Sequence, residues 1–365
     1  MFIPISQPSI TQKEIDYVTD AVTSTWISSL GKYIDRFEAE FADFCGTRYA
    51  ICVSNGTVAI QLALTANGIG EGDEVIMPNL SFIATANATL HCGATPIFAD
   101  IDAHNLCIDP NDIERLITSK TKAIMPVHLY GHPAQMDKIL EIANKHGLWV
   151  IEDAAEAHGA TVHSKRVGSW GNCATFSFYG NKNLTTGEGG MITTDDEDFY
   201  NRCLYLRDHA MSKEKRYWHT APGFNFRMTN IQAAIGCAQL ERVNDFMSKR
   251  QTIFKWYDQY LGAIEGISLN KTASWATNAY WLICLENKNW KIEDRDHFMV
   301  ELKKRGVDSR PFFYPMFQMP YINEEVNTPV TDALYRQGIN LPTYFDLEEE
   351  QVKFICSVLK QLLNA

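Results

Sequence analysis

Leu148-Trp-Val-Ile-Glu-Asp153 and, two dozen residues on, Thr175-Phe-Ser-Phe-Tyr-Gly-Asn-Lys182 decide the fold. Each is a short apolar run that ends on a charged residue, and each is bounded by Gly, Asn or Ser. Such runs read as strands buried on both faces, and their ends are the carboxyl edge of a parallel sheet, where α/β proteins bind ligands. Working outward, similar runs recur at Ala50–Val53, Glu74–Met77, Thr95–Ala99, Ala123–Val127, Trp149–Glu152, Ala174–Phe178 and Gly190–Thr193. Between them lie helical patterns at Val58–Asn67, Phe82–His91, Pro110–Ile117 and Gln135–His146. Alternation of this kind specifies an α/β domain with a mostly parallel, seven-stranded sheet.

A long helical stretch follows at Ile231–Leu261, with one interruption at Gly236. Beyond it come a strand at Tyr280–Leu285, a helix at Asp294–Arg305, a Pro and aromatic loop at Pro311–Pro320 and a terminal helix at Leu347–Leu363. The expected organisation is a large domain over residues 1–240 and a smaller α+β domain over 241–365. Ala210–Phe224 has no clear period and reads as a mobile or partner-contacting loop.

Composition narrows the function. The chain has 365 residues, 45% hydrophobic and 21% charged, which is ordinary for a globular protein. Its net charge of −11, with no run of Lys or Arg, argues against nucleic acid as a partner. Nine cysteines are scattered singly, with no CxxC, so neither a zinc site nor a disulfide framework is expected. They read as thiols of a reducing compartment, and a start broken by Pro4 and Pro8 does not resemble a signal peptide. No apolar stretch is long enough for a bilayer, so the expectation is a cytoplasmic protein without membrane contact.

Asp153 and Lys182 together carry a chemical meaning that neither has alone. A lysine amine forms a Schiff base with an aldehyde cofactor, and a carboxylate on a pyridine nitrogen keeps that nitrogen protonated so that the ring accepts electrons. Ser54-Asn-Gly-Thr57 stands between a strand and a helix, where the amides of Gly56 and Thr57 suit a dianionic phosphate. Thr185-Thr-Gly-Glu-Gly-Gly190 brings three glycines beside the lysine and permits close backbone approach.

Asp153-Ala-Ala-Glu-Ala-His-Gly, Phe176-Ser-Phe-Tyr-Gly-Asn-Lys-Asn-Leu-Thr-Thr-Gly-Glu-Gly-Gly and Asn225-Phe-Arg-Met-Thr-Asn-Ile-Gln-Ala-Ala resemble the DegT-type sugar aminotransferases, in order and over essentially the whole chain. That resemblance implies the type I fold of the transferases that depend on pyridoxal 5'-phosphate, and the cofactor itself. It makes Lys182 the cofactor-carrying lysine and Asp153 the partner of the ring nitrogen. Glu156 would contact the ring hydroxyl, where relatives often have Gln or His, and Phe82 would stack on the ring. Gly56, Thr57 and Ser177 would hold the phosphate, with Asn225 reaching it from the other subunit of a homodimer. Relatives that act as dehydratases replace the lysine with His, and this chain keeps Lys182.

Within the family the likeness is nearest to members that make GDP-perosamine, through Ser24-Thr-Trp-Ile-Ser-Ser, Val127-His-Leu-Tyr-Gly-His-Pro, Tyr179-Gly-Asn-Lys, Arg310-Pro-Phe-Phe-Tyr-Pro and Ile339-Asn-Leu-Pro. It implies transfer of an amino group from L-glutamate to GDP-4-keto-6-deoxymannose for surface polysaccharide, with a UDP- or dTDP-linked keto sugar as the alternative acceptor. A non-catalytic scaffold of the same fold is the rival from another class, and the intact Lys182, Asp153 and Gly56-Thr57 argue against it. Asn181, beside the lysine, and Arg310 and Tyr314, in a loop stiffened by prolines, are the candidate contacts to substrate. Arg310 has the geometry to grip a diphosphate with two hydrogen bonds.

Overall fold

Seven short segments, buried at nearly every position, need cover on both faces and obtain it by lying side by side between two layers of helix. They are β1 (Tyr49–Val53), β2 (Glu74–Pro78), β3 (Thr95–Ala99), β4 (Thr121–Ile124), β5 (Trp149–Asp153), β6 (Cys173–Ser177) and β7 (Gly190–Thr194). The computed structural model of the chain describes residues 2–322 and 326–363. The sheet order is β1-β7-β6-β5-β4-β2-β3. Pairing is parallel from β6 through β5, β4 and β2 to β3. Only β7 runs the other way, antiparallel to both β1 and β6. The mostly parallel, seven-stranded sheet expected from the sequence is thus present.

β4 is shorter than its apolar run. The strand expected at Ala123–Val127 stops at Ile124, because Pro126 has no N–H to continue the ladder. Val127 keeps a single bridge to Asp153, and Asp153 N donates to the Pro126 carbonyl at 2.9 Å. Helices Gly56–Ala66, Ala84–His91, Pro110–Leu116 and Met136–His146 occupy the intervals expected for crossovers.

The stretch 231–261 is two helices, Asn230–Leu240 and Val243–Leu261, that part at Glu241–Arg242 rather than at Gly236. Gly236 lies inside the first helix, and a Cβ there would come within 2.6 Å of the Phe37 ring. This glycine sets the approach of two helices and does not end one. Its neighbour is Lys32–Cys45, which together with Gln12–Thr23 was not anticipated from the sequence. The second of these unanticipated helices carries a local signal: Thr11 caps it, and Glu14 reaches back to complete a capping box.

The C-terminal part builds an antiparallel sheet of Ile267–Leu269, Ile283–Asn287, Gly338–Leu341 and Arg310–Pro311. Its middle strand starts at Ile283 rather than Tyr280, since Tyr280 adopts a left-handed φ of 44° that cannot continue a strand. Ile3 joins this core: its N–H donates to Gly306 O at 2.8 Å and its carbonyl accepts from Asp308 N at 2.9 Å. All nine cysteines are free and eight of them are buried. Among the described residues no helix is long and apolar enough to cross a membrane.

Candidate active site

Successive residues of a strand face opposite ways, so the last two residues of β5 send their carboxylates to different surroundings. Glu152 faces away from the cavity and is wholly buried. It accepts from His128 Nε2 at 3.0 Å and from the amides of Gly168, Trp170 and Gly171 at 2.8–2.9 Å. Burial pushes its pKa up, but these hydrogen bonds prevail and hold it below the usual value. Asp153 faces the cavity. Its Oδ2 accepts from Thr85 Oγ1 at 2.8 Å and its Oδ1 from Ala155 N at 3.2 Å. Burial raises its pKa, so in this pocket the ionised form requires a cationic or donating partner.

Lys182 arrives from β6 through the short loop 178–181. Its Nζ lies 3.4 Å from Glu156 Oε1, while Glu156 Oε2 accepts from Tyr130 N at 2.9 Å. Burial lowers the lysine pKa against the pull of Glu156 and Asp153. The same burial raises Glu156 to about 7, against the pull of Lys182. Burial thus makes this amine less basic than an exposed lysine, which favours its action as a nucleophile or base.

The phosphate end is equally well defined. Asn55 caps helix Gly56–Ala66 by accepting from Val58 N at 3.0 Å, which leaves Gly56 and Thr57 in the first turn, where amides face outward. A Cβ on Gly56 would sit 2.8 Å from Ser177 Cβ. Only glycine lets the helix start rest against the end of β6, and the result is a small cradle of Gly56, Thr57 and Ser177.

One cavity of about 880 Å³ gathers Gly56, Thr57, Phe82, Asp153, Glu156, Ser177, Asn181, Lys182 and Arg310 on its wall. Asn181 Oδ1 is buried there without a hydrogen-bond partner among the described residues. Two candidates stand elsewhere. Tyr314 directs its hydroxyl to Arg295 Nη2, 3.4 Å away, and Phe313 takes the wall position and meets Phe82 edge-on at 5.8 Å. Asn225 is exposed, outside the cavity of its own chain, and accepts from Arg227 Nε at 3.0 Å. Ala210–Phe224, which precedes it, forms no regular helix or strand and exposes Tyr217 and Trp218.

Sequence reading missed Thr85, which orients Asp153, and Trp281, whose ring centroid is 3.7 Å from Lys182 Nζ. Thr85 lies one helical turn beyond Phe82, so its direction follows once Phe82 is placed. Trp281 reads as part of a strand, and nothing in the run Tyr280–Leu285 marks it as belonging to the cavity.

These residues fit pyridoxal phosphate. They supply an anion cradle at a helix start, a carboxylate 5% exposed at a strand end, an aromatic on the wall and an amine between. The profile of the DegT/DnrJ/EryC1/StrS aminotransferase family matches residues 8–360. The chain is 45% identical to the GDP-perosamine synthase of Escherichia coli O157:H7, with 100% of this chain and 99% of that protein covered. It is 46% identical to the GDP-perosamine synthase of Caulobacter vibrioides, over 99% of this chain and 98% of that one. Among solved structures, S. venezuelae DesV in complex with a ketimine intermediate matches with a TM-score of 0.91 and 32% identity over 99% of both chains. The aminotransferase from Psychrobacter cryohalolentis matches at a TM-score of 0.92 and 33% identity, over 100% of this chain and 99% of that one. By sequence, fold and site, the chain belongs to the DegT/DnrJ/EryC1/StrS aminotransferase family.

Proposed function

We propose that this protein is a pyridoxal-phosphate-dependent aminotransferase that passes the amino group of L-glutamate to GDP-4-keto-6-deoxymannose and so makes GDP-perosamine for surface polysaccharide. The observation that carries the chemistry is the buried Lys182 amine, 3.4 Å from Glu156 in the same cavity as Asp153. The acceptor is supported by the full-length likeness to two GDP-perosamine synthases. A large unit, residues 1–240, holds the cofactor in this reading, and a smaller one, 241–365, supplies Arg310 to the acceptor side. The free cysteines suit a cytoplasmic enzyme.

Asp153 would face the ring nitrogen, Glu156 the ring hydroxyl and Phe82 the ring plane, with Gly56, Thr57 and Ser177 at the phosphate. When bound, the cofactor supplies an electron sink that acidifies the substrate carbon bearing nitrogen. The protein's own work is proton transfer and placement. Lys182 Nζ, made less basic by burial, takes the proton from that carbon and later returns it. Thr85 Oγ1 and Ala155 N fix the Asp153 carboxylate so that its position does not depend on the ligand. Phe82 and Phe313 meet edge-on at the cavity wall, and Asn181 Oδ1, with no hydrogen-bond partner among the described residues, is free to accept from a substrate N–H or O–H.

The direct test is a panel of GDP-, UDP- and dTDP-linked 3-keto and 4-keto sugars with glutamate as donor. The highest kcat/KM is expected on GDP-4-keto-6-deoxymannose. A dTDP-linked acceptor is the second reading, favoured by 35% identity to the dTDP-3-amino-3,4,6-trideoxy-alpha-D-glucose transaminase of Streptomyces venezuelae. Preference for that acceptor would replace the sugar while keeping the chemistry.

Arg310 is tied to Asp308 Oδ1 at 2.5 Å and stands on the cavity wall. Arg310→Ala is expected to raise KM for the nucleotide sugar by roughly tenfold or more, the value of a lost charge-assisted hydrogen bond. The glutamate half-reaction, followed by cofactor absorbance, should change much less. Equal damage to both would place Arg310 at the donor carboxylate.

The enzyme works as a homodimer in which Asn225 reaches the neighbouring subunit's phosphate cradle. Lys182→Ala and Asn225→Asp chains are each expected to be inactive alone. After subunit exchange in equal amounts they should recover roughly a quarter of the wild-type activity, because half of the dimers are mixed and each holds one intact site. No recovery after confirmed exchange would contradict a shared site.

A further inference from the structure

Lys182 is gripped on both sides by a segment that the reaction above leaves without a role. Trp281 Nε1 donates to the Asn181 carbonyl at 2.8 Å, and Asn183 Nδ2 donates to the Ala279 carbonyl at 3.1 Å. The residues before and after the lysine are therefore both tied to Ala279–Trp281. That segment is itself anchored. Ala279 N donates to Gly131 O at 2.8 Å, and the buried Arg250 donates to Trp281 O at 2.7 Å. Gly131, at φ +104°, allows the crossing, because a Cβ there would lie 2.5 Å from Tyr280 N. The Trp281 side chain is 4% exposed and lies nearly parallel to the Tyr130 ring, 6.3 Å away, with Lys182 Nζ 3.7 Å from its centroid.

We propose that Trp281 is a positioning residue whose indole face is the resting place of the Lys182 ammonium whenever that lysine is not covalently engaged. The inference rests on Lys182 being the reacting amine. An aromatic face attracts a cation through the ring quadrupole and does little for the neutral amine, and the attraction grows when water is excluded. The contact discriminates between the two charge states at the moment when the lysine must be held ready yet kept from wandering. The other groups facing Lys182 are Glu156 and Asp153, which favour the ammonium, and His158. His158 is buried, its pKa is pushed down to about 3, and it adds no charge at neutral pH.

The test uses the full-length chain freed of cofactor and needs no sugar or donor, so its failure is separable from failure of the acceptor assignment. Labelling of Lys182 by acetic anhydride, read by peptide mass spectrometry across pH, gives the midpoint at which the amine loses its proton. Trp281→Leu is expected to lower that midpoint by about one pH unit, and Trp281→Phe, which keeps an aromatic face without the N–H, to restore most of the shift. Identical midpoints in wild type and Trp281→Leu would overturn the proposal. A second measurement does not depend on how either variant folds. The tryptophan emission of the wild type minus that of Lys182→Met should show a step at the labelling midpoint, and absence of any lysine-dependent step would equally overturn it.

Discussion

Lys182→Ala is expected to abolish turnover, with a loss of at least about 10⁴-fold, and to remove the visible absorption of the lysine-bound cofactor. Lys182 is the only lysine on the cavity wall among the described residues, so no neighbour can take its place. The fold should survive, because the segment around Lys182 is held to Ala279–Trp281 by Asn181 O and Asn183 Nδ2, neither of which belongs to the truncated side chain. Truncation leaves Glu156 buried without its cation, which favours the protonated, neutral form of that carboxyl and limits the damage. Turnover at a wild-type rate in this variant would remove Lys182 from the chemistry.

Asp153→Asn is expected to retain fold and some cofactor while losing on the order of a hundredfold or more in kcat, since a neutral amide cannot keep a pyridine nitrogen protonated. Sequence position makes the substitution gentle. Asn keeps its one oxygen for Ala155 N, and its NH2 takes the other place and donates to Thr85 Oγ1, a hydroxyl that can accept as well as donate. Linkage gives the sign of the stability effect. The Asp153 pKa is raised in the folded, cofactor-free chain, so the penalty for its ionisation is absent at low pH and grows as pH rises from the unfolded value through the folded one. The cofactor-free Asn variant should therefore melt no lower than wild type at pH 8. A large drop in melting temperature would show that Asp153 is structural, and an undiminished kcat would place the ring nitrogen elsewhere.

The sheet and the Asp153–Lys182 pair were legible because both rest on strand ends. A short apolar run bounded by turn residues fixes where a strand stops, and parallel packing fixes which edge that end occupies. Period 2 also separates Glu152 from Asp153, although only the structure shows that Glu152 holds the turn at 168–171 in place. Legibility failed where side-chain direction is set by tertiary contact. In the loop Arg310–Pro315 no repeat tells Phe313 from Tyr314, and burial of Arg295 beside the Tyr314 hydroxyl decides which one turns away. Gly236 reads as a helix break along the chain because the size of a neighbour, here Phe37, is invisible there. Trp281 was hidden for a related reason: its role depends on the left-handed turn at Tyr280 and on Gly131, 150 residues earlier in the chain.

The central claim is that Lys182 carries the cofactor, and borohydride reduction of the holoprotein followed by peptide mapping tests it most directly. Reduction fixes the cofactor to the amine that holds it and erases the visible band. The expected result is one modified peptide, the one containing Lys182, carrying on that residue the mass of the cofactor less one water and plus two hydrogens. Modification of a different lysine, or complete release of cofactor with no peptide modified, would contradict it.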